Sequence, residues 1–298
     1  MKAKIISFFS VLMAAVVCSG CSNSENNSTF SSNFSEAVES SSTVVIDTSI
    51  QETDDWKFQY DEKAGGIIIK ECLCANKKSD DLLKSKDADI VVPTSFAGFE
   101  GIKVVEIGEN AFYNRIMKSL TLPNTVVSIG SKAFSNAEIS DELVIPESVT
   151  NIGEEAFSYS DINSVVLPPM EAIGSSIFYN SNVEKVVMTE GTRVITNSAF
   201  SGCSKLRELV IPDSVEEIDR GGLDFSIDIT TIEKEFELKL PSSLKKMDID
   251  ELPQYIYSGM DVGYPKIIFK GKTYDFLNQS EKRKQLAEEL QAAIDNNA

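Results

Sequence analysis

The sequence predicts an α/β repeat protein, a solenoid built from a parallel sheet of short strands joined by short helical turns. Two observations predict it. The stretch from Leu143 to Phe157, LVIPESVTNIGEEAF, has close copies on both sides, and their spacing of about 22 residues lies in the range of stacked repeat architectures. Three landmarks also keep one phase along the array. A small residue or Ile precedes Phe at Ala111-Phe112, Ala133-Phe134, Ala156-Phe157, Ile177-Phe178 and Ala199-Phe200. Ile with a turn-permissive residue stands four positions earlier, as Ile107-Gly108, Ile129-Gly130, Ile152-Gly153 and Ile173-Gly174, then Ile195-Thr196 and Ile218-Asp219. An apolar residue before Pro recurs at Val92, Leu122, Ile145, Leu167, Ile211 and Leu240, with Met188-Thr189 as the one degraded site.

One unit explains the physics of the rest. Leu206, Leu209 and Ile211 follow the L-x-x-L-x-L spacing of a leucine-rich repeat strand, in which alternate side chains point inward. Pro212 has no backbone donor and ends the strand ladder. Val215 and Ile218, like Val149 and Ile152 before them, bring the chain back to the interior. A short helical turn such as Glu154-Glu155-Ala156-Phe157 then buries its Phe. No unit can bury its apolar face alone, so each depends on its neighbours.

These residues resemble the BspA-like subgroup of bacterial leucine-rich repeat proteins, whose units read I-P-x-S-V-x-x-I-G-x-x-A-F-x-x-C-x-x-L. The resemblance runs over roughly residues 56–272. It implies a right-handed leucine-rich-repeat solenoid in a surface or secreted protein, with adhesion and partner binding as the general role. Cys203, two residues after Ser201, falls on the family's C position, where a small buried thiol suits the core.

In chain order, Met1-Lys2-Ala3-Lys4, an apolar run from Ile5 to Val17 and the small residues before Cys21 make residues 1–20 a signal peptide. The junction resembles a bacterial lipobox, which makes Cys21 the expected lipidation site and lipid the only expected tie to the membrane. Residues 21–55 are rich in Ser and Asn with few core formers, and are expected to be a disordered tether. Such a chain reaches roughly 30–35 Å. Residues 56–89 are expected to form an N-terminal β-hairpin cap, since Trp56-Lys57-Phe58-Gln59-Tyr60 alternates and Gly65-Gly66 precede Ile67-Ile68-Ile69. Trp56 and Tyr60 would cover the open core, or offer an aromatic platform. The solenoid itself is expected over 90–272, in about seven strand registers. Its step lengthens between Ile218 and Leu240, and the 219–237 insertion carries Asp224, Asp228, Glu233 and Glu235. Their spacing matches no calcium loop. Residues 273–298 are expected to be a C-terminal helical cap, N-capped by Ser280, with Leu286, Leu290 and Ile294 on one face. A partner-binding helix is the other reading.

Composition narrows the chemistry. The chain holds 28 basic and 46 acidic residues and no His, for a net charge of −18. Without Lys2 and Lys4 the balance becomes 26 against 46, about −20. Nucleic acid is not expected as a partner at that charge. The lack of His removes His-based triads and His-containing zinc sites. Cys72 and Cys74 stand two apart on a strand, near the limit for a disulfide, and lack further metal ligands. No catalytic, metal or cofactor site is expected.

The candidate binding face lies on the strands. The outward position between two core residues reads Thr121, Val144, Val166, Val187 and Val210, and beside it lie Ser119, Glu142, Ser164, Lys185 and Glu208. Stacked in register, the first set makes an apolar ridge about five strands long. Exposed contiguous apolar surface marks contact sites, although Val also suits strands by propensity alone. The resulting expectation is a surface-tethered, non-catalytic scaffold holding a protein or glycan ligand on its sheet face. The alternatives are a structural spacer of the envelope and a carboxylate-dependent surface hydrolase.

Overall fold

The computed structural model describes residues 46–73, 76–77, 88–224, 226–228, 237–247, 254–257, 260–263, 266–276 and 282–298. The expected signal peptide, Cys21, most of the expected tether, Cys74 and Ser280 lie outside the described residues. The fold is a leucine-rich repeat array of short strands, and the described residues contain a single helix, Arg283–Asp295. That helix is too short to cross a membrane.

The array begins with the expected hairpin. Trp56–Asp61 pairs antiparallel with Gly66–Cys72. The turn closes because the Asp61 carboxylate accepts the N–H groups of Lys63 and Ala64, while Gly65 adopts φ 72°. A further strand, Ile50–Glu52, pairs with Trp56–Asp61. Residues 50–52, expected to fall within a disordered tether, are thus a strand, because edge pairing satisfies their backbone groups. Trp56 is buried edge-on to Phe112, with ring centroids 6.0 Å apart. Its buried companion is Phe58, stacked on Phe96, rather than Tyr60, which is only half-buried.

Three backbone rows run along the stack. The first joins the Ile-Gly landmarks: Gly66–Cys72, Val104–Ile107, Ser128–Ile129 and Asn151–Ile152 pair in parallel sequence. The row resumes where Val194–Ile195 pairs with Glu217–Ile218. The landmark glycines are needed for close approach. A Cβ on Gly153 would sit 2.4 Å from the Ser131 nitrogen, and one on Gly130 would sit 2.6 Å from the Glu109 nitrogen.

The second row holds the predicted strands. Glu138–Val144, Asp161–Leu167, Lys185–Met188 and Glu208–Val210 form one parallel ladder. Earlier in the chain Asp89–Val91 pairs with Ser119–Thr121, and later Glu237–Lys239 pairs with Lys266–Phe269.

The third row departs from expectation. Segments such as Glu154–Phe157 are successive β-turns, not helical turns. Ala133, Ser135 and Ala137 donate three residues back, to Gly130, Lys132 and Phe134. The N–H groups between them, on Lys132, Phe134 and Asn136, instead reach Glu154, Ala156 and Ser158 of the next repeat, at 3.1, 2.8 and 2.9 Å. A helix would spend its N–H groups within the same segment, whereas this arrangement gives half of them to the next repeat. Left-handed residues make it possible: Lys132 and Asn136, Glu155 and Tyr159, and Ser176 and Asn180 all have φ between 52° and 57°.

Between the rows lies the core. Phe112, Phe134, Phe157, Phe178 and Phe200 stack nearly parallel, with centroids 5.1 to 5.4 Å apart, and all are fully buried. Hydroxyls tie neighbouring units together as well. Thr125, Ser148, Ser214 and Ser243 each donate to a carbonyl one repeat back, on Val104, Val126, Thr192 and Val215, at 2.6 to 2.7 Å. The two repeats in the middle carry Pro169 and Gly191 at that position and lack the tie. Thr192 occupies the next position, Val in the regular units. Its hydroxyl is buried without a hydrogen-bond partner among the described residues.

The irregular end has more structure than a loop. Ser226–Asp228, inside the insertion, pairs in parallel with Gln254–Tyr257, which turns back on Met260–Gly263. Lys266–Phe269 continues into a hairpin with Lys272–Asp275 through Lys270 and Gly271, both at positive φ. The helix then lays Leu286, Leu290 and Ile294 into the core. Asn297 donates to the Ser242 and Leu244 carbonyls, and Gln291 to that of Met247.

Candidate binding face

The strand row is amphipathic because side chains alternate along a strand. In three successive units the residues on either side of the outward position are turned in: Leu143 and Ile145, Val165 and Leu167, and Val186 and Met188 are all buried, while beside Val210 Leu209 is buried and Ile211 half-buried. The residue between them must then face solvent. Val144 pairs with Val166, Val166 with Val187, and Val187 with Val210, so the four side chains stand in register on one face. Val144 is 54% exposed and Val210 40%, while Val166 and Val187 between them are partly covered. Thr121, also exposed, pairs with Val91, which is 59% exposed. Val91 lengthens the ridge by one strand. Sequence reasoning passed over it because Asp89-Ile90-Val91 is too short to show a period, although Val92-Pro93 follows it in the expected place.

The companion positions behave differently. They hydrogen-bond or ion-pair with neighbours along the row. Ser119 donates to Asp89 at 2.5 Å, Ser164 to Glu142 at 2.9 Å, and Lys185 lies 3.1 Å from Glu208. Ser164 departs from expectation, being buried at 6% exposure, and Glu142 takes up its hydroxyl. The face therefore offers an apolar line flanked by polar groups that bond with one another.

Cys72 and Cys203 both lie in the core. Burial pushes the Cys203 thiol up to about 12, and the thiol donates to the Phe178 carbonyl at 3.0 Å. It is a core residue beside Ser181, not a nucleophile. Among the described residues no cluster of three or more His, Cys, Asp or Glu is placed to hold a metal.

A family model for the BspA type leucine rich repeat region matches residues 105–230 and 171–257 in six copies, together more than half of the chain. The chain belongs to the BspA-type leucine-rich repeat family. Three solved structures are similar to this BspA-type chain. One is a leucine rich cell surface protein from Faecalibacterium prausnitzii A2-165, at 17% identity and a TM-score of 0.46, covering 77% of this chain and 59% of its own. Another is the leucine rich repeat protein of T. pallidum, at 23% identity and a TM-score of 0.39, covering 57% of this chain and 86% of its own. The third is the pneumococcal vaccine antigen PcpA, at 17% identity and a TM-score of 0.45, covering 72% of this chain and 65% of its own. This chain thus spans less than two thirds of the first protein's length. No curated protein matches it.

Proposed function

We propose that this chain is a non-catalytic binding scaffold of the bacterial surface, held to the membrane by lipid on Cys21, which grips a protein partner along its strand row. The observation that carries the reading is the in-register line of Val144, Val166, Val187 and Val210, left in solvent on an otherwise charged surface. A protein partner suits it better than a glycan, because an apolar line with self-paired neighbours rewards apolar burial and offers few hydrogen bonds to sugar hydroxyls. In this reading the stack is right-handed, and its two open ends are closed by the Trp56 hairpin and the terminal helix.

The experiment is a pull-down from host and envelope extracts with the wild type and with Val166→Thr/Val187→Thr. Central contacts dominate interface energies, so partners of this face should be lost from the double variant. A capture profile identical for both proteins would leave the ridge a product of strand propensity. Anchoring is tested separately: Cys21→Ala should abolish membrane association and labelled lipid incorporation. Label retained in that variant would rule out Cys21 as the acylated residue.

A further inference from the structure

The turn row carries a second set of exposed groups, unlike the valines in chemistry. Tyr113 and Tyr179 share one position in their repeats and are 51% and 36% exposed. The two repeats between them place Ser135 and Ser158 there, buried and hydrogen-bonded to each other at 3.1 Å. Tyr159 follows one residue later in its own unit, 52% exposed, with its ring edge-on to Tyr179 at 5.7 Å. Three tyrosines therefore mark the same corner of the stack.

Tyr159 is the informative one. Its position is left-handed in every unit, at φ 56° here, and the other repeats fill it with Asn114, Asn136, Asn180 and Gly202. Those are the residue types that tolerate this conformation, and a bulky aromatic is an outlier there. Strain of this kind gathers at sites of function. Here the array gives up a favourable Asn to present a ring.

Amide side chains stand beside the rings. Asn136 donates to Asn114 at 2.7 Å across one repeat, and Asn180 is exposed beside Tyr179. A cleft of about 360 Å³ opens next to Tyr113, lined by Asn110 and Asn114 together with Lys70, Glu71 and Arg115, the last two ion-paired at 2.7 Å. Rings with a polar tip, interleaved with groups that both donate and accept, match the apolar faces and hydroxyl edges of sugars. The repeat advance, 5.1 to 5.4 Å along the Phe row, is also close to the advance per sugar ring in an extended β-linked polysaccharide. The chain's charge of −18 disfavours polyanions.

We propose that this corner is a second binding site, separate from the strand row, for a neutral β-linked polysaccharide, with Tyr159 and Tyr179 as its aromatic contacts and the Tyr113 cleft receiving the chain beyond. The test is native electrophoresis of the full chain through gels cast with barley β-glucan or with polygalacturonate. β-Glucan should retard the wild type, and Tyr159→Asn/Tyr179→Ser should weaken that affinity about tenfold, the scale of losing an aromatic contact. Both substitutions are residues the array already uses at those positions, so folding should be kept, and Tyr159→Asn alone should melt no lower than the wild type. Val166→Thr/Val187→Thr should be retarded like the wild type, which separates this site from the strand face. The proposal is overturned if β-glucan fails to retard the wild type, or if the tyrosine double variant is retarded unchanged. Equal retardation by polygalacturonate, or loss of retardation in the valine variant, would overturn it too.

Discussion

The Phe row and the Val row recur with the same period, yet they do opposite work. Phe112 to Phe200 stack out of solvent, while Val144 to Val210 line up in it. Periodicity alone does not distinguish a core residue from a surface one. What separates the two rows is the flanking backbone: a strand turns alternate side chains outward, whereas each β-turn points its Phe inward and gives its spare N–H groups to the next repeat.

The largest effect should come from breaking the Phe row in its middle. Phe157→Ala is expected to cost about 3–5 kcal/mol, the range for deleting a buried aromatic, as read by chemical denaturation. A loss under about 1 kcal/mol would place that ring at the surface. Next comes the backbone contact that lets the repeats approach. Gly153→Ala puts a Cβ 2.4 Å from the Ser131 nitrogen and should cost about 1–3 kcal/mol through forced separation of two units. The melting temperature reports it, and an unchanged value would mean that the turns can slide apart freely.

A smaller change should run the other way. Thr192→Val removes a buried hydroxyl that lacks a partner among the described residues and restores the side chain of the regular units. It should stabilise the protein by about 1 kcal/mol, and a lower denaturation midpoint would show that the hydroxyl is satisfied in solution. The smallest effect belongs to the Val row. Val166→Thr/Val187→Thr should shift stability by less than about 1 kcal/mol, because these side chains are only partly covered and Thr keeps the β-branch. A large loss would make the valines part of the core and end the contrast between the rows.

Most of the array was legible because its signals are local. Ile-Gly, the residue before Pro and the Phe each imply a turn, a strand end or a buried ring within a few residues, and the strand pairing follows from stacking them. The ridge was legible for the same reason, since alternation along Leu143-Val144-Ile145 fixes which side chain faces out. Ser164 was misplaced because its burial depends on Glu142, one repeat away. The turn row was misread because Glu154-Glu155-Ala156-Phe157 has good helix propensity, and the inter-repeat bonds that override it are invisible within one unit. The strand Ser226–Asp228 escaped notice because its partner, Gln254–Tyr257, lies in another irregular repeat. Tyr159 could have been found: aligning the units puts an aromatic in a column of Asn and Gly.

The left-handed residues of the turn row also bear on how the protein comes apart. Each of Lys132, Glu155, Ser176 and Ser198 holds a conformation unfavourable to an isolated chain, while the compensating N–H bonds run to the adjacent repeat. Cost therefore sits inside the unit and gain sits at the junction between units, the condition under which a linear stack melts as one body instead of fraying from its ends. A single calorimetric transition spanning residues 105–218, with fragments of one or two repeats failing to fold at all, is the behaviour that partition requires.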